Sequence, residues 1–263
     1  MSKIEIENLS FHYGEAGERA PALEGISLAV ESGEFLCLLG PSGCGKSTLL
    51  SILNGLNRAT GGEIRIDGAA VTGPGRDRAV VFQHYSLFPW LTAEKNVMFG
   101  IRQSGRRHTR QESRRLANDF LEKVGLADAG NKYPAQLSGG MQQRVAIARA
   151  LAMEADILLM DEPFGAVDPK LRLELQELVS KLSTEHKKTV VFVTHDIDEA
   201  ILLADRIVVM EPKHIRAVET VALPRPRGRD ALMRSEEYLR LRRRLMSLFY
   251  EQVAENIGDE VVL

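Results

Sequence analysis

Residues 40–48 read GPSGCGKST, a full match to the spacing G-x-x-x-x-G-K-S/T. Those residue types at that spacing make a cradle for phosphate. Glycines let successive backbone N–H groups turn inward around anionic oxygens, and the helix after the loop points its positive end at them. Lys46 adds a point charge for the terminal phosphates, and Ser47 a hydroxyl for Mg2+. The candidate nucleotide-binding set is therefore Gly40, Pro41, Ser42, Gly43, Cys44, Gly45, Lys46, Ser47 and Thr48.

Two further stretches carry chemistry. Residues 157–163, ILLMDEP, form an apolar run that ends in adjacent carboxylates. A buried parallel strand of this kind delivers both acids to the carboxyl edge of a sheet, where ligands bind in α/β folds. Asp161 then suits Mg2+, and Glu162, on the opposite side of the strand, suits a base that polarises an attacking water. An acid pair capping a helix is the plainer alternative, and the phosphate loop in the same chain weighs against it. Residues 137–144, LSGGMQQR, place Ser138 as an N-cap, with Gly139 and Gly140 freeing N–H groups at a helix start. That is either a second phosphate-binding end or an ordinary capped helix.

These side chains need strands and helices to hold them. Ile4 to Leu9 alternates apolar and polar, as a half-buried strand does. Phe35 to Leu39 is continuously apolar, the mark of a strand buried on both faces. The phosphate loop leads into STLLSILNGLN, whose leucine and isoleucine spacing is helical. Gly61–Gly62 and Asp67–Gly68 bracket a short strand, EIRI, and Val80 to Phe82 makes another.

From Thr92 to about Ala152 the pattern turns helical. Thr92 caps a helix holding Val97, Met98 and Ile101, and Arg110 to Val124 sets Leu116, Phe120, Leu121 and Val124 on one side. Strands return at Ile157 to Met160, Val190 to Val193 and Ile207 to Met210, alternating with helices at Lys170 to Lys187 and Ile197 to Ala204. That alternation predicts a mostly parallel sheet covered on both faces. LPRPRGRD, from Leu223, reads as a turn-rich linker. Beyond it Tyr238, Leu241, Leu245, Leu248 and Phe249 fall on one helical stripe. A basic amphipathic stripe packs on its parent domain or lies on a membrane surface, and packing is the expectation.

The net charge of −2 over 263 residues, with both signs interspersed, leaves no footprint of a nucleic-acid binder. Cys37 and Cys44 are too few for a disulfide scaffold and fit no zinc spacing, so they read as reduced thiols of a cytosolic protein. MSKIEIENLS holds no apolar segment for a signal peptide, and no apolar run approaches the ~20 residues of a membrane span. Service to a membrane would come from outside the bilayer.

In order and spacing these motifs resemble those of ABC ATPases. LSGGMQ is similar to that family's signature motif and stands, as it does there, between the phosphate loop and the acidic strand. The resemblance covers roughly Ile4 to Val221. It implies an α/β P-loop NTPase fold within residues 1–222, with a RecA-like core, an antiparallel β subdomain and a helical subdomain inserted at about 90–152. Residues 223–263 then form a C-terminal linker and an amphipathic helical tail. Gln83, after VVF, resembles the Q-loop glutamine that touches Mg2+ or water and senses the membrane partner. FGAVD at 164–168 resembles the D-loop, with valine for the commoner leucine, which adds Asp168 to the cofactor-binding set. His195 resembles the switch histidine at the γ-phosphate, and Tyr13 the aromatic that stacks on adenine, with Phe11 as a substitute. The implied catalytic residues are Glu162, His195 and Gln83, with Ser47, Gln83 and Asp161 around Mg2+. In such a family two subunits meet head to tail, and Ser138, Gly139 and Gly140 of one cap the ATP of the other.

The segment SLFPWLTAEKNVMFG, with Phe88, Pro89 and Trp90, is similar to a stretch found in importers of nitrate, sulfonate, taurine and bicarbonate; a small core cluster is the plainer alternative. The tail resembles that group as well. The resemblance implies an ATP-hydrolysing subunit of an importer, peripheral on the cytoplasmic side of the inner membrane. Its implied partners are integral-membrane permease subunits, a second and identical ATPase subunit and, indirectly, a periplasmic or extracellular solute-binding protein, with no nucleic acid. Importers of other solutes such as quaternary amines, and soluble ABC ATPases of translation or DNA repair, are the rival readings. One ATPase domain and no heptad array argue against the soluble ones.

Overall fold

The computed structural model describes residues 2–14, 21–83, 86–165, 167–225 and 227–260. The strands in chain order are β1 (Ser2–Phe11), β2 (Leu23–Glu31), β3 (Phe35–Leu39), β4 (Gly61–Ile66), β5 (Ala69–Ala70), β6 (Arg78–Val81), β7 (Ile157–Asp161), β8 (Thr189–Thr194), β9 (Arg206–Glu211) and β10 (His214–Thr220). The helices are α1 (Lys46–Leu53), α2 (Ala93–Gln103), α3 (Arg110–Lys123), α4 (Gly139–Leu151), α5 (Pro169–His186), α6 (Ile197–Leu203), α7 (Arg229–Leu232) and α8 (Glu236–Glu260). They fall into two compact units, Met1–Pro74 with Thr189–Leu263, and Gly75–Lys188.

In the first unit β1 and β2 alternate burial. Ile4, Ile6, Leu9 and Phe11 face inward from one strand, and Leu23, Ile26, Leu28 and Val30 from the other. The two pair antiparallel, and β1 also pairs antiparallel with β4. The two-residue Asp67–Gly68 turn returns the chain into β5, giving the order β2-β1-β4-β5. A second sheet runs β10-β9-β3-β8, in which β3 is parallel to both β8 and β9 and β10 is antiparallel to β9. Every residue of β3 and of β8 is buried, which is why both read as unbroken apolar runs. The rings of Phe35 and Phe192 meet at 5.8 Å in this core. Each side chain of that size contributes roughly 1.5–3 kcal/mol by leaving water. Helix α1 stops at Leu53, short of the helical pattern through Asn57, because Gly55 takes φ +78° and its N–H bonds back to Ile52 O at 2.9 Å.

In the second unit β6 and β7 pair in parallel, and between them the described residues form helices and short 3-10 turns without a strand. Thr92 caps α2 by accepting from Lys95 N, and Thr109 with Glu112 forms a capping box at α3. The buried face of α3 runs through Ser113, Ala117, Leu121 and Val124, so Leu116 and Phe120 lie at its margin, not in its centre. Phe120 instead offers its ring to Lys123 Nζ at 4.8 Å. Strand β6 covers Arg78–Val81, one residue short of Phe82.

The tail belongs to the first unit. Helix α8 packs on α6 and β9, burying Tyr238 and Leu245, while Leu241, Leu248 and Phe249 are half-buried. Among the described residues no helix is long and apolar enough to cross a membrane. Cys37 and Cys44 are buried free thiols.

Candidate functional site

In the first unit β3 and β8 run parallel with Leu39 opposite Thr194. The phosphate loop starting at Gly40 and the turn carrying His195 therefore leave one carboxyl edge side by side. The loop fits tightly. Gly45 has φ +106°, and a Cβ there would sit 2.6 Å from Leu23 Cδ2 and 2.9 Å from Ala22 O. At Gly40 a Cβ would come within 2.5 Å of Met210 O and 2.8 Å of Cys44 Sγ. Lys46 curls over the loop and donates to Gly40 O at 2.8 Å and Pro41 O at 2.7 Å. Its third contact goes to Cys44 Sγ at 3.7 Å, so the acceptors it meets in the loop are two carbonyls and a thiol. Burial pushes the Cys44 thiol up, which leaves it protonated beside Lys46. Ser42, Gly43 and Ser47 are exposed, Pro41 and Gly45 half-exposed, and Thr48 is buried.

Tyr13 stands 47% exposed, with its hydroxyl 2.9 Å from Thr48 Oγ1 and its ring edge-on to Phe11 at 4.9 Å. His195 is exposed between Thr194, whose hydroxyl accepts from Asp196 N at 3.0 Å, and Asp196, the N-cap of α6.

In the second unit the parallel pairing sets Val81 opposite Met160, so Gln83 and the Asp161–Glu162 pair also leave one carboxyl edge. Asp161 is buried at the end of β7 and Glu162 is half-buried. Glu162 holds φ +43°, a left-handed conformation that is uncommon for a residue with a side chain. Neither acid caps a helix; α5 is capped by Asp168, which accepts from Leu171 N at 3.1 Å. Ser138 is exposed and caps α4 by accepting from Met141 N at 3.3 Å, with Gly139 and Gly140 half-exposed in the first turn. Ser138 and Asp168 thus both have a structural task of their own. Of FGAVD, Ala166 lies outside the described residues, as does Pro226 of LPRPRGRD. No group of three or more His, Cys, Asp or Glu that could hold a metal ion occurs among the described residues.

Several supports left no mark in the sequence pattern or only a faint one. Gln143 in α4, only 1% exposed, donates from Nε2 to Phe82 O at 3.5 Å, and Arg149 donates to Ser86 O at 2.7 Å. The helix that begins with the LSGG residues is thereby strapped to the chain on both sides of Gln83. A signal was present, since Gln143 interrupts an otherwise apolar helix face. Asn96, fully buried, accepts from Phe88 N and donates to Phe88 O, Leu91 O and Thr92 O, fixing the FPWLT turn. The turn holds Trp90 70% exposed rather than in a core cluster, beside Phe88, whose ring in turn meets Phe99. Arg225 and Arg227 proved structural within the irregular stretch after β10. Arg225 pairs with Asp205 at 2.8 Å, and Arg227 donates to five backbone carbonyls.

Comparison with known proteins agrees with this geometry. The sequence profile of the family described as ABC transporter matches residues 23–165. The bicarbonate transport ATP-binding protein CmpD of Synechocystis sp. is 44% identical over 256 residues, covering 96% of this chain and 91% of that protein. Similarity over that share of the chain necessarily reaches into α8. The nitrate import ATP-binding protein NrtD of Synechococcus elongatus is 43% identical over 238 residues, 89% of this chain and 87% of that one. Among solved structures, the dimeric post-hydrolysis state of the ATP-binding cassette MJ0796 with ADP and Pi superposes with a TM-score of 0.78 at 37% identity, covering 86% of this chain and 99% of that one. The chain belongs to the ABC transporter family, as one of its ATP-binding, ATP-hydrolysing subunits.

Proposed function

We propose that the chain powers an importer for a small oxyanion of the bicarbonate and nitrate class, from the inner face of the membrane and as one of two identical ATPase subunits. The observation that carries the solute class is the similarity to bicarbonate and nitrate subunits over most of the chain, which for the bicarbonate subunit reaches into the tail. The assignment of roles rests on the two carboxyl edges. Lys46 and the loop N–H groups take the phosphates of ATP, and Tyr13 takes the adenine face. Ser47, Asp161 and Gln83 are the sparse oxygen set that Mg2+ accepts alongside phosphates and water, and the ion would neutralise charge on the β- and γ-phosphates. Glu162 polarises the attacking water, and His195 contacts the γ-phosphate. Ser138, Gly139 and Gly140 of one copy cap the nucleotide of the other, and Asp168 lies in the loop that passes between copies.

Trp90 and Phe99, both exposed beside the half-buried Phe88 ring, support a docking role toward permease subunits, because aromatic rings left in water by a rigid turn cost stability unless a partner covers them. The test is the ATPase rate of the protein assembled with its permease in lipid, with binding proteins loaded with bicarbonate, nitrate, taurine or a sulfonate, and with glycine betaine as a contrast. Stimulation by one oxyanion-loaded protein is expected. Stimulation by the quaternary amine alone overturns the solute class, and indifference to every membrane component overturns the importer reading.

A further inference from the structure

Helix α6 begins two residues after His195 and is only seven residues long, too short to hold its own geometry. Its four terminal carbonyls, Ile201 to Ala204, have no partner within the helix. The tail supplies all four. Arg227 donates from one guanidinium nitrogen to Ile201 O at 3.0 Å, Leu202 O at 3.4 Å and Ala204 O at 2.6 Å, and Arg225 donates to Leu203 O at 2.6 Å. Two cations at a helix C-terminus also complement its dipole.

The other end of α6 is held as closely. Asp196 caps it by accepting from Asp198 N at 2.9 Å and Glu199 N at 3.0 Å. The side chain of Asp198 then accepts on a single oxygen, Oδ1, from Tyr238 Oη at 2.6 Å and Arg242 Nε at 2.7 Å, both on α8. Ser235 starts α8 by accepting from Tyr238 N at 3.2 Å, Leu245 is fully buried one heptad on, and Arg244 pairs with Glu219 of β10 at 2.6 Å. The route from α8 to His195 is thus two side chains, one carboxylate, one helix turn and a cap.

We propose that Tyr238 and Arg242, with Arg225 and Arg227, are positioning residues that set the reach of His195 through α6, so that the C-terminal tail is a working part of the hydrolytic site. This rests on the reading of His195 as the γ-phosphate contact. The Asp198–Arg242 pair is about one third exposed on both sides, 31% and 38%, so its loss costs the fold little. A large change in turnover would therefore have to come through geometry.

The test uses the full chain and a sensitive assay of phosphate release from labelled ATP. Arg242→Ala and Tyr238→Phe are expected to lower kcat about tenfold and about threefold, with KM for ATP held within about twofold, and Arg242→Lys is expected to recover part of the loss. His195→Ala lowers kcat further, and in that background neither tail variant has any additional effect, because the residue they position is gone. Tail and histidine losses that multiply would overturn the proposal, as would unchanged kcat in both tail variants. Wild-type kcat in His195→Ala alone would instead remove the reading of the histidine, and the proposal with it. Should Arg242→Ala fail to fold, Tyr238→Phe deletes a single hydroxyl and carries the same test.

Discussion

Tyr13 and Thr48 meet hydroxyl to hydroxyl at 2.9 Å, which ties the ring flanking the phosphate loop to the first turn of α1. Phe11 packs against the same ring with the two planes near perpendicular, and Tyr13 stays about half exposed between these two contacts. A base stacked there gains affinity from a surface already in place. Tyr13→Ala should raise KM for ATP about tenfold, in keeping with ~1–3 kcal/mol for a base on an aromatic ring, and leave kcat nearly unchanged. Tyr13→Phe keeps the ring and loses only the tether, so about a twofold rise is expected. Binding of a fluorescent ATP analogue checks both, and equal affinity across the three proteins would move the adenine elsewhere.

Glu162 is placed by strain as well as by sequence. A left-handed φ costs about 1 kcal/mol or more for a residue with a side chain, and the chain accepts it at the residue directly after the buried Asp161. Glu162→Gln has the same shape and the same strain, so it isolates the carboxylate. ATP binding should remain within about twofold while hydrolysis falls by about a hundredfold or more, and the ATP-bound dimer should accumulate on gel filtration. Near-normal turnover would refute the base assignment.

How much of the fold and site was legible depends on how far each interaction reaches along the chain. The GPSGCGKST motif, the unbroken apolar strand Phe35–Leu39 and the caps Thr92 and Ser138 are local, each declared within a few residues, and the structure has the strand and the two caps where the pattern put them. The supports of the site are not local. Arg227 binds backbone carbonyls more than twenty positions away, and a carbonyl leaves no mark on a side-chain pattern. Asp198 meets Tyr238 and Arg242 forty and more positions on, so the tail stripe showed an apolar face but not its polar anchor. The exposure of Trp90 was hidden for a related reason. Its exposure is imposed by Asn96, a buried polar residue whose four hydrogen bonds shape the turn, and composition alone favours a tryptophan in a core.

Ser138 offers a separation of two roles. Its hydroxyl caps α4 within its own subunit, so Ser138→Ala should lose about 1 kcal/mol and lower Tm by about 2–4 °C. Ser138→Arg loses the same cap and adds bulk and charge on an exposed surface, so its Tm should match that of the alanine variant. Nucleotide affinity of the single subunit should be wild type in both. Turnover in Ser138→Arg should fall by about fiftyfold or more, through failure of the second copy to close over the nucleotide. Wild-type turnover in that variant would remove the cross-subunit site.

The anchor of the tail has a pH signature. Burial, and then the hydrogen bond to Asp198, push the Tyr238 phenol up to about 12 from an ordinary value of 10. A group whose pKa is raised by folding stabilises the fold in its protonated form, so this contribution is complete below pH 10 and disappears as pH rises through about 12. Asp198 works in the opposite sense. Burial alone would raise its carboxyl, but the hydrogen bonds from Tyr238 and Arg242 and the charge of Arg242 outweigh that and hold it below the usual carboxylate range. Its contribution is present at neutral pH and is lost as the solution is acidified past that range. Docking of α8 should therefore be at full strength across neutral pH and weaken at both ends. Thermal melts of wild type and Tyr238→Phe from pH 7 to pH 11 test the alkaline limb. The wild type should melt higher at pH 7, and the gap should begin to close above pH 10, because only the wild type has a phenol at position 238 to ionise. Parallel curves over the whole range would mean that the Tyr238 hydroxyl does not hold the tail.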